Sequence, residues 1–106
     1  MEEAHCYIPT SIENEKEIRK QLSDEDLYNQ LAEEAAELAQ AANKMVRVLR
    51  GTNPTPKSFD EVRENITEEF SDLALISKIL GIQIDWLIVD YKLYRWRKRL
   101  EETDNV

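Results

Sequence analysis

The chain has little that bends or breaks a helix: two glycines and three prolines among 106 residues. That scarcity argues against turn-dense all-β architectures and favours helices packed on helices. With one cysteine, Cys6, no intrachain disulfide can form, and a lone thiol fits a reducing cytoplasm. The only histidine is His5, so the Glu-x-x-His sites of carboxylate-bridged di-iron bundles are excluded. Cys6 beside His5 is a pair without the further ligands that zinc requires. Long apolar runs are missing as well. Trp86-Leu87-Ile88-Val89 reads as a core segment, nothing approaches a membrane span, and no signal-peptide h-region follows Met1. Positive charge is in deficit, with a net charge of −8. A surface for nucleic acid needs basic patches and is not expected here, whereas a small phosphorylated substrate is compatible if a cation neutralises both sides.

What is present is charge in helical register. Charged residues make up 34% of the chain, and the length suits one all-α domain over residues 1–106. Residues 1 to about 10 lack periodicity, and a short helix is expected from about Ser11 to Leu22. Ser23 is an N-cap followed by Asp24, Glu25 and Asp26, which favour a helix N-terminus. Leu27, Leu31, Ala35, Leu38, Ala42, Met45 and Leu49 then recur on one helix face, and Gly51 is the natural C-cap. Thr52-Asn-Pro-Thr-Pro-Lys57 is a loop. Ser58 with Glu61 forms a capping box that opens a third helix. That helix carries Phe59, Val62, Ile66, Phe70, Leu73, Ser77 and Leu80 on one side and ends at Gly81. A fourth helix is expected from about Ile84 to Glu102.

Two acidic clusters stand on these helices: Glu33-Glu34-Ala-Ala-Glu37 on the second and Glu68-Glu69-Phe-Ser-Asp72 on the third. A run of glutamates on a helix is ordinarily a solvated face. The helical wheel, at about 100° per residue, sets these apart. Glu34 lies about 20° from Leu27, and Glu37 flanks the same stripe, while Glu33 points away. Glu69 lies about 50° from the centre of the third helix's inner face with Asp72 on the same flank, while Glu68 points to the opposite side. Each helix thus turns an i, i+3 pair of carboxylates inward. Four converging carboxylates repel unless a cation compensates them. All-oxygen ligation suits a hard ion such as Mg²⁺ or Mn²⁺.

The fourth helix offers the complementary charge. Lys92, Arg95 and Arg99 fall within about 60° of one another and can face the acidic cluster to grip phosphates, or serve as surface cations near a helix C-terminus. Phe59, Phe70, Trp86, Tyr91, Tyr94 and Trp96 are candidates to stack on a base, although aromatics at helical spacing are more often core. Leu75 and Ile79, and the line Val89, Leu93, Trp96 and Leu100, lie off the inner faces. This surplus apolar surface predicts a homo-oligomer.

Glu33-Glu34-Ala35-Ala36-Glu37 followed by Glu69-Phe70-Ser71-Asp72, each on an amphipathic helix, resembles the signature of the MazG-like all-α nucleoside triphosphate pyrophosphohydrolases. Leu31, Leu38 and Leu73 stand in matching context, and Lys92-Leu-Tyr-Arg95-Trp96 is similar to a basic segment of many members. The resemblance covers about residues 23 to 100. The 31 residues between Glu37 and Glu69 are more than is usual for that family, with the loop around Pro54 and Pro56 absorbing the excess. The resemblance implies a four-helix bundle-like domain holding Mg²⁺, or Mn²⁺ in its place, on Glu34, Glu37, Glu69 and Asp72. Glu33 and Glu34 become candidate catalytic residues, and Lys92, Arg95 and Arg99 candidate phosphate ligands. It further implies cleavage of a nucleoside triphosphate to the monophosphate and pyrophosphate, in a cytoplasmic homodimer or homotetramer. The rival reading is a catalytically inactive helical oligomer that binds a nucleotide or a partner protein.

Overall fold

The computed structural model describes residues 11–51 and 57–104. The expectations for residues 1–10, including Cys6 and His5, and for the loop around Pro54 and Pro56 lie outside the described residues. The fold is all-α: α1 (Ser11–Gln21), α2 (Asp24–Arg50), α3 (Phe59–Ile79) and α4 (Trp86–Asp104), with no strand among the described residues.

Local chemistry accounts for the helix ends. Ser23 accepts from the Asp26 backbone N–H at 3.1 Å, and the Asp26 carboxylate accepts from the Ser23 N–H at 3.0 Å. Ser58 and Glu61 close the equivalent box before α3. Both boxes satisfy N–H groups that a helix start leaves unpaired. Gly51 ends α2 at a φ of 65°, with its N–H donating to the Arg47 carbonyl. Gly81 ends α3 at a φ of 75°; its N–H donates to Lys78 and that of Ile82 donates to Ser77, the paired bonds of a Schellman turn. The fourth helix begins at Trp86, two residues later than the periodicity of Ile84 suggests. The Asp85 carboxylate accepts from the N–H groups of Leu87 and Ile88, so Asp85 caps the helix and Ile84 stays in the connection.

The hairpin of α2 and α3 is the packed unit. On α2 the seam runs through Leu27, Leu31, Glu34, Leu38, Ala41, Met45 and Val48, and on α3 through Val62, Ile66, Glu69, Leu73, Ile76 and Leu80, all buried or half-buried. The steps alternate between four and three residues, the spacing of two helices that stay in contact along their length. This corrects the wheel reading at several positions. Ala35, Ala42 and Leu49 are exposed where Ala41 and Val48 are covered, and Phe59 and Phe70 are exposed where Ile76 is buried. Leu27 shares a hollow with Ile76 and Ile79, while Met45 shares one with Phe59 and Ile66, as an antiparallel pair requires.

Ile79 is likewise buried rather than surplus. It borders hollows shared with Ile18 and Leu22 of the first helical segment, and the Arg19 guanidinium donates to its carbonyl. Lys78 completes the clasp with Ser11 and with Glu15, the latter at 3.8 Å. By contrast, α4 packs against none of the other helices over any length. Its ion pairs, Arg97 and Lys98 with Glu101, are internal. The chain is accordingly elongated: its radius of gyration is 19.1 Å, against about 13 Å for a globular domain of this length.

Candidate metal centre

Halfway along the hairpin the apolar seam is interrupted on both sides by an acid. Glu34 occupies a seam position of α2 and Glu69 one of α3, where the flanking seam residues are Leu31, Leu38, Ile66 and Leu73. Three residues on, Glu37 and Asp72 flank the seam. Antiparallel packing then brings the two i, i+3 pairs together, and one carboxylate oxygen from each of Glu34, Glu37, Glu69 and Asp72 lies within 4.8 Å of the others.

Burial within this group is graded. Glu34, Glu69 and Asp72 are half-buried and Glu37 is exposed. Glu34 accepts a hydrogen bond on Oε1 from Gln30 Nε2 at 2.8 Å, one helical turn earlier, which orients the carboxylate. Its other oxygen, Oε2, is buried without a hydrogen-bond partner, and so is Glu69 Oε2. Buried acceptors left unpaired are costly, and a cation between them would satisfy both. Like charge is felt here as well. Glu37 is pushed above its ordinary value, first by hydrogen bonding with Glu69 and then by the negative charge of Glu69, with slight desolvation and Asp72 adding to the effect and a hydrogen bond with Glu34 opposing it.

The donor set is all oxygen, which suits a hard cation. Opposite ligands lie about 4.2 Å apart across Mg²⁺ and about 4.8 Å across Ca²⁺. A spread of at most 4.8 Å between the four oxygens is compatible with a divalent cation of this kind.

The remaining candidates lie elsewhere. Glu33 and Glu68 are exposed and outside the group. Lys92, Arg95 and Arg99 do share a face, where they border a shallow hollow with Trp96. That hollow is separate from the one that Glu34 and Asp72 border, and α4 is not packed on the hairpin. Within one chain the basic row therefore does not cover the acidic group. Arg95 lies 5.7 Å from the Tyr91 ring and Lys98 lies 5.9 Å from that of Tyr94, so these two aromatics support cations. Phe70 and Trp86 line an apolar hollow at the α3–α4 corner with Leu73, Ile82 and Ile84. Gln30 belongs to neither acidic motif; its signal in the sequence is its place one turn before Glu34 on the same face.

Among the described residues no helix is long and apolar enough to cross a membrane. No family model, curated protein or solved structure matches this chain.

Proposed function

We propose that this chain is a Mg²⁺-dependent nucleoside triphosphate pyrophosphohydrolase that releases the monophosphate and pyrophosphate. One observation carries the reading: four carboxylates converge within 4.8 Å at an apolar seam, with two buried oxygens that have no partner. The order of the two acidic motifs, Glu33-Glu34-x-x-Glu37 before Glu69-x-x-Asp72, supports the reaction class through its resemblance to the MazG-like hydrolases.

In this reading Glu34, Glu37, Glu69 and Asp72 hold the cation, and Gln30 holds Glu34 in its ligating rotamer. A cation held there would act as a Lewis acid on the phosphoryl group and lower the pKa of an attacking water. The protein's own part is to fix the ligand geometry and to align the triphosphate for in-line displacement. Lys92, Arg95 and Arg99 stand apart from the cluster within one chain, so the phosphate-binding role given to them requires a second copy of the chain. Glu33, exposed and outside the group, is assigned no proton transfer; one of the four carboxylates takes that role. A nucleotide substrate and a lone cysteine both suit the cytoplasm. The exposed α4 supports a homo-oligomer.

The deciding experiment measures pyrophosphate release from a panel of ribo- and deoxyribonucleoside triphosphates, with Mg²⁺ and with chelator. Mg²⁺-dependent formation of monophosphate and pyrophosphate in equal amounts is expected. Release of diphosphate and inorganic phosphate would reject cleavage between the α and β phosphates. No turnover of any substrate, together with a Mg²⁺-induced rise in melting temperature, would favour the inactive binding module.

A further inference from the structure

The first helix is joined to the rest of the fold through Leu22 and Ser23, and no residue of it is buried. Its hold on the hairpin is narrow. The Arg19 guanidinium donates to the Ile79 carbonyl, one of the last carbonyls of α3, which find no partner inside their own helix. Lys78 donates to the Ser11 hydroxyl and pairs with Glu15 at 3.8 Å; a surface ion pair of this kind contributes little. Ile18 and Leu22 supply the apolar part, sharing hollows with Leu75 and Ile79. An element held by so few contacts opens locally at a fraction of the free energy of global unfolding.

The place that α1 covers adjoins the metal centre. Ile18 and Leu22 border a hollow of about 360 Å³, and so do Glu34 and Asp72. Gln30, which donates to Glu34, borders it too. Leu27 and Ile76 belong to its apolar lining. With α1 seated, two of the four carboxylates adjoin a mostly apolar hollow. With α1 away, water enters from that side.

Electrostatics sets the direction of the effect. Four carboxylates within 4.8 Å repel one another less when water reaches them, so the empty cluster favours α1 away. A cation reverses the balance, because attraction between opposite charges strengthens as water is excluded. We propose that α1 is a strap coupled to the metal centre: its seat over the hollow is tightened when the four carboxylates hold a divalent cation and loosened when they are empty. The proposal rests on the cation-binding part of the reading above and is independent of the hydrolysis. The coupling is reciprocal. The factor by which the cation favours the seated strap equals the factor by which the seated strap favours the cation.

Hydrogen exchange on the full chain, in several millimolar Mg²⁺ and in chelator at one pH, tests the strap. Peptides from residues 11–22 should exchange at least about 5-fold more slowly with Mg²⁺, the lower end of ordinary coupling between sites. Peptides from α4, which stands off the hairpin, should keep their rates. Calorimetric titration of the double variant Ile18→Ala, Arg19→Ala reads the reverse direction; both residues lie outside the carboxylate group. Its Mg²⁺ affinity should fall by the factor seen in the exchange rates, with the protection of the α2–α3 hairpin kept in chelator. Where that protection is lost, the wild-type exchange decides alone. Equal slowing in α1 and α4 marks general stabilisation and overturns the strap. So does unchanged α1 exchange in a chain that Mg²⁺ stabilises, or a folded double variant that binds Mg²⁺ as tightly as the wild type. The cation site stands in each of these cases. A chain that neither binds Mg²⁺ nor is stabilised by it removes the cation reading and the strap with it. Selective slowing of α1 in a chain that releases no pyrophosphate from any triphosphate removes the hydrolase reading and leaves the strap standing.

Discussion

Glu34 and Glu69 occupy seam positions on two antiparallel helices, and each buries one carboxylate oxygen with no hydrogen-bond partner. A leucine at either place would continue the apolar stripe that Leu31 and Leu38, or Ile66 and Leu73, establish around it. The hairpin thus gives up apolar contact at its centre and accepts repulsion between acids. That sacrifice has a physical rationale if a cation binds there.

Restoring the stripe tests this trade. Glu34→Leu with Glu69→Leu should raise the melting temperature of the metal-free protein, by about 4–8 °C if the gain is about 1 kcal/mol. The same change should abolish the upward shift that several millimolar Mg²⁺ is expected to give the wild type. Differential scanning calorimetry with and without chelator measures both. A double variant less stable than the metal-free wild type would mean that the two glutamates stabilise the fold by themselves.

Ligands and supporting residues should separate by magnitude. Glu34→Gln, Glu37→Gln, Glu69→Gln and Asp72→Asn should each lower Mg²⁺-dependent pyrophosphate release by more than about 100-fold, beyond the 10–100-fold typical of groups that only orient a ligand. Gln30→Leu should fall within that lower range, with a weaker apparent Mg²⁺ affinity. Glu68→Gln should be nearly silent, because Glu68 is exposed and outside the cluster. Equal damage from Glu68→Gln and Glu69→Gln would place the wrong face of α3 at the site.

The pH dependence follows from Glu37, whose carboxyl is raised above 4.5, first through Glu69. Its proton is bound more tightly in the folded state than in the unfolded chain. Its stabilising contribution is therefore complete below the ordinary value and is lost as pH rises through the raised one. As pH rises above the ordinary glutamate range, the metal-free wild type should lose stability relative to Glu37→Gln. Apparent Mg²⁺ affinity should increase with that rise, since proton and metal compete for the oxygens. Asp26 and Glu61 work in the opposite sense: both are lowered by the backbone N–H of their capping serines, so their contributions are lost as pH falls. Comparison with Glu37→Gln across the pH series separates the two effects, and identical profiles would remove Glu37 as their source.

The caps should behave as local supports. Ser23→Ala and Ser58→Ala should each cost about 1 kcal/mol, a fall of about 4–8 °C in a domain of this size, while leaving the apparent Mg²⁺ affinity within about twofold. Thermal melts with Mg²⁺ titrations read both quantities. A loss of metal binding in Ser23→Ala would tie the start of α2 to the site more closely than its position implies.

Much of this molecule was legible in its sequence because much of it is local. The two serine caps, Gly51 and Gly81 act through bonds within a turn or two of themselves, so their residue types alone announce where helices begin and end. The inward turn of Glu34, Glu69 and Asp72, and the place of Glu37 beside the same seam, are also properties of spacing along single helices. Ala41, Val48 and Ile76 were not legible in the same way. A straight wheel at 3.6 residues per turn drifts about 20° per heptad from a seam that repeats every 3.5. Over a helix of 27 residues that drift moves the covered face from Leu49 to Val48.

By itself, then, the sequence determined four helices, the caps of α2 and α3 and which carboxylates share a face, because hydrogen bonds between near neighbours decide those. Only the tertiary structure decided that the two acidic pairs converge at one level of the seam, that Gln30 supports Glu34, that the first helix covers Ile79, and that α4 with its basic row stands away from the hairpin. Those outcomes depend on how two helices register and on where a connection of a few residues sends the next one. Long-range packing settles both, and no single helix encodes it.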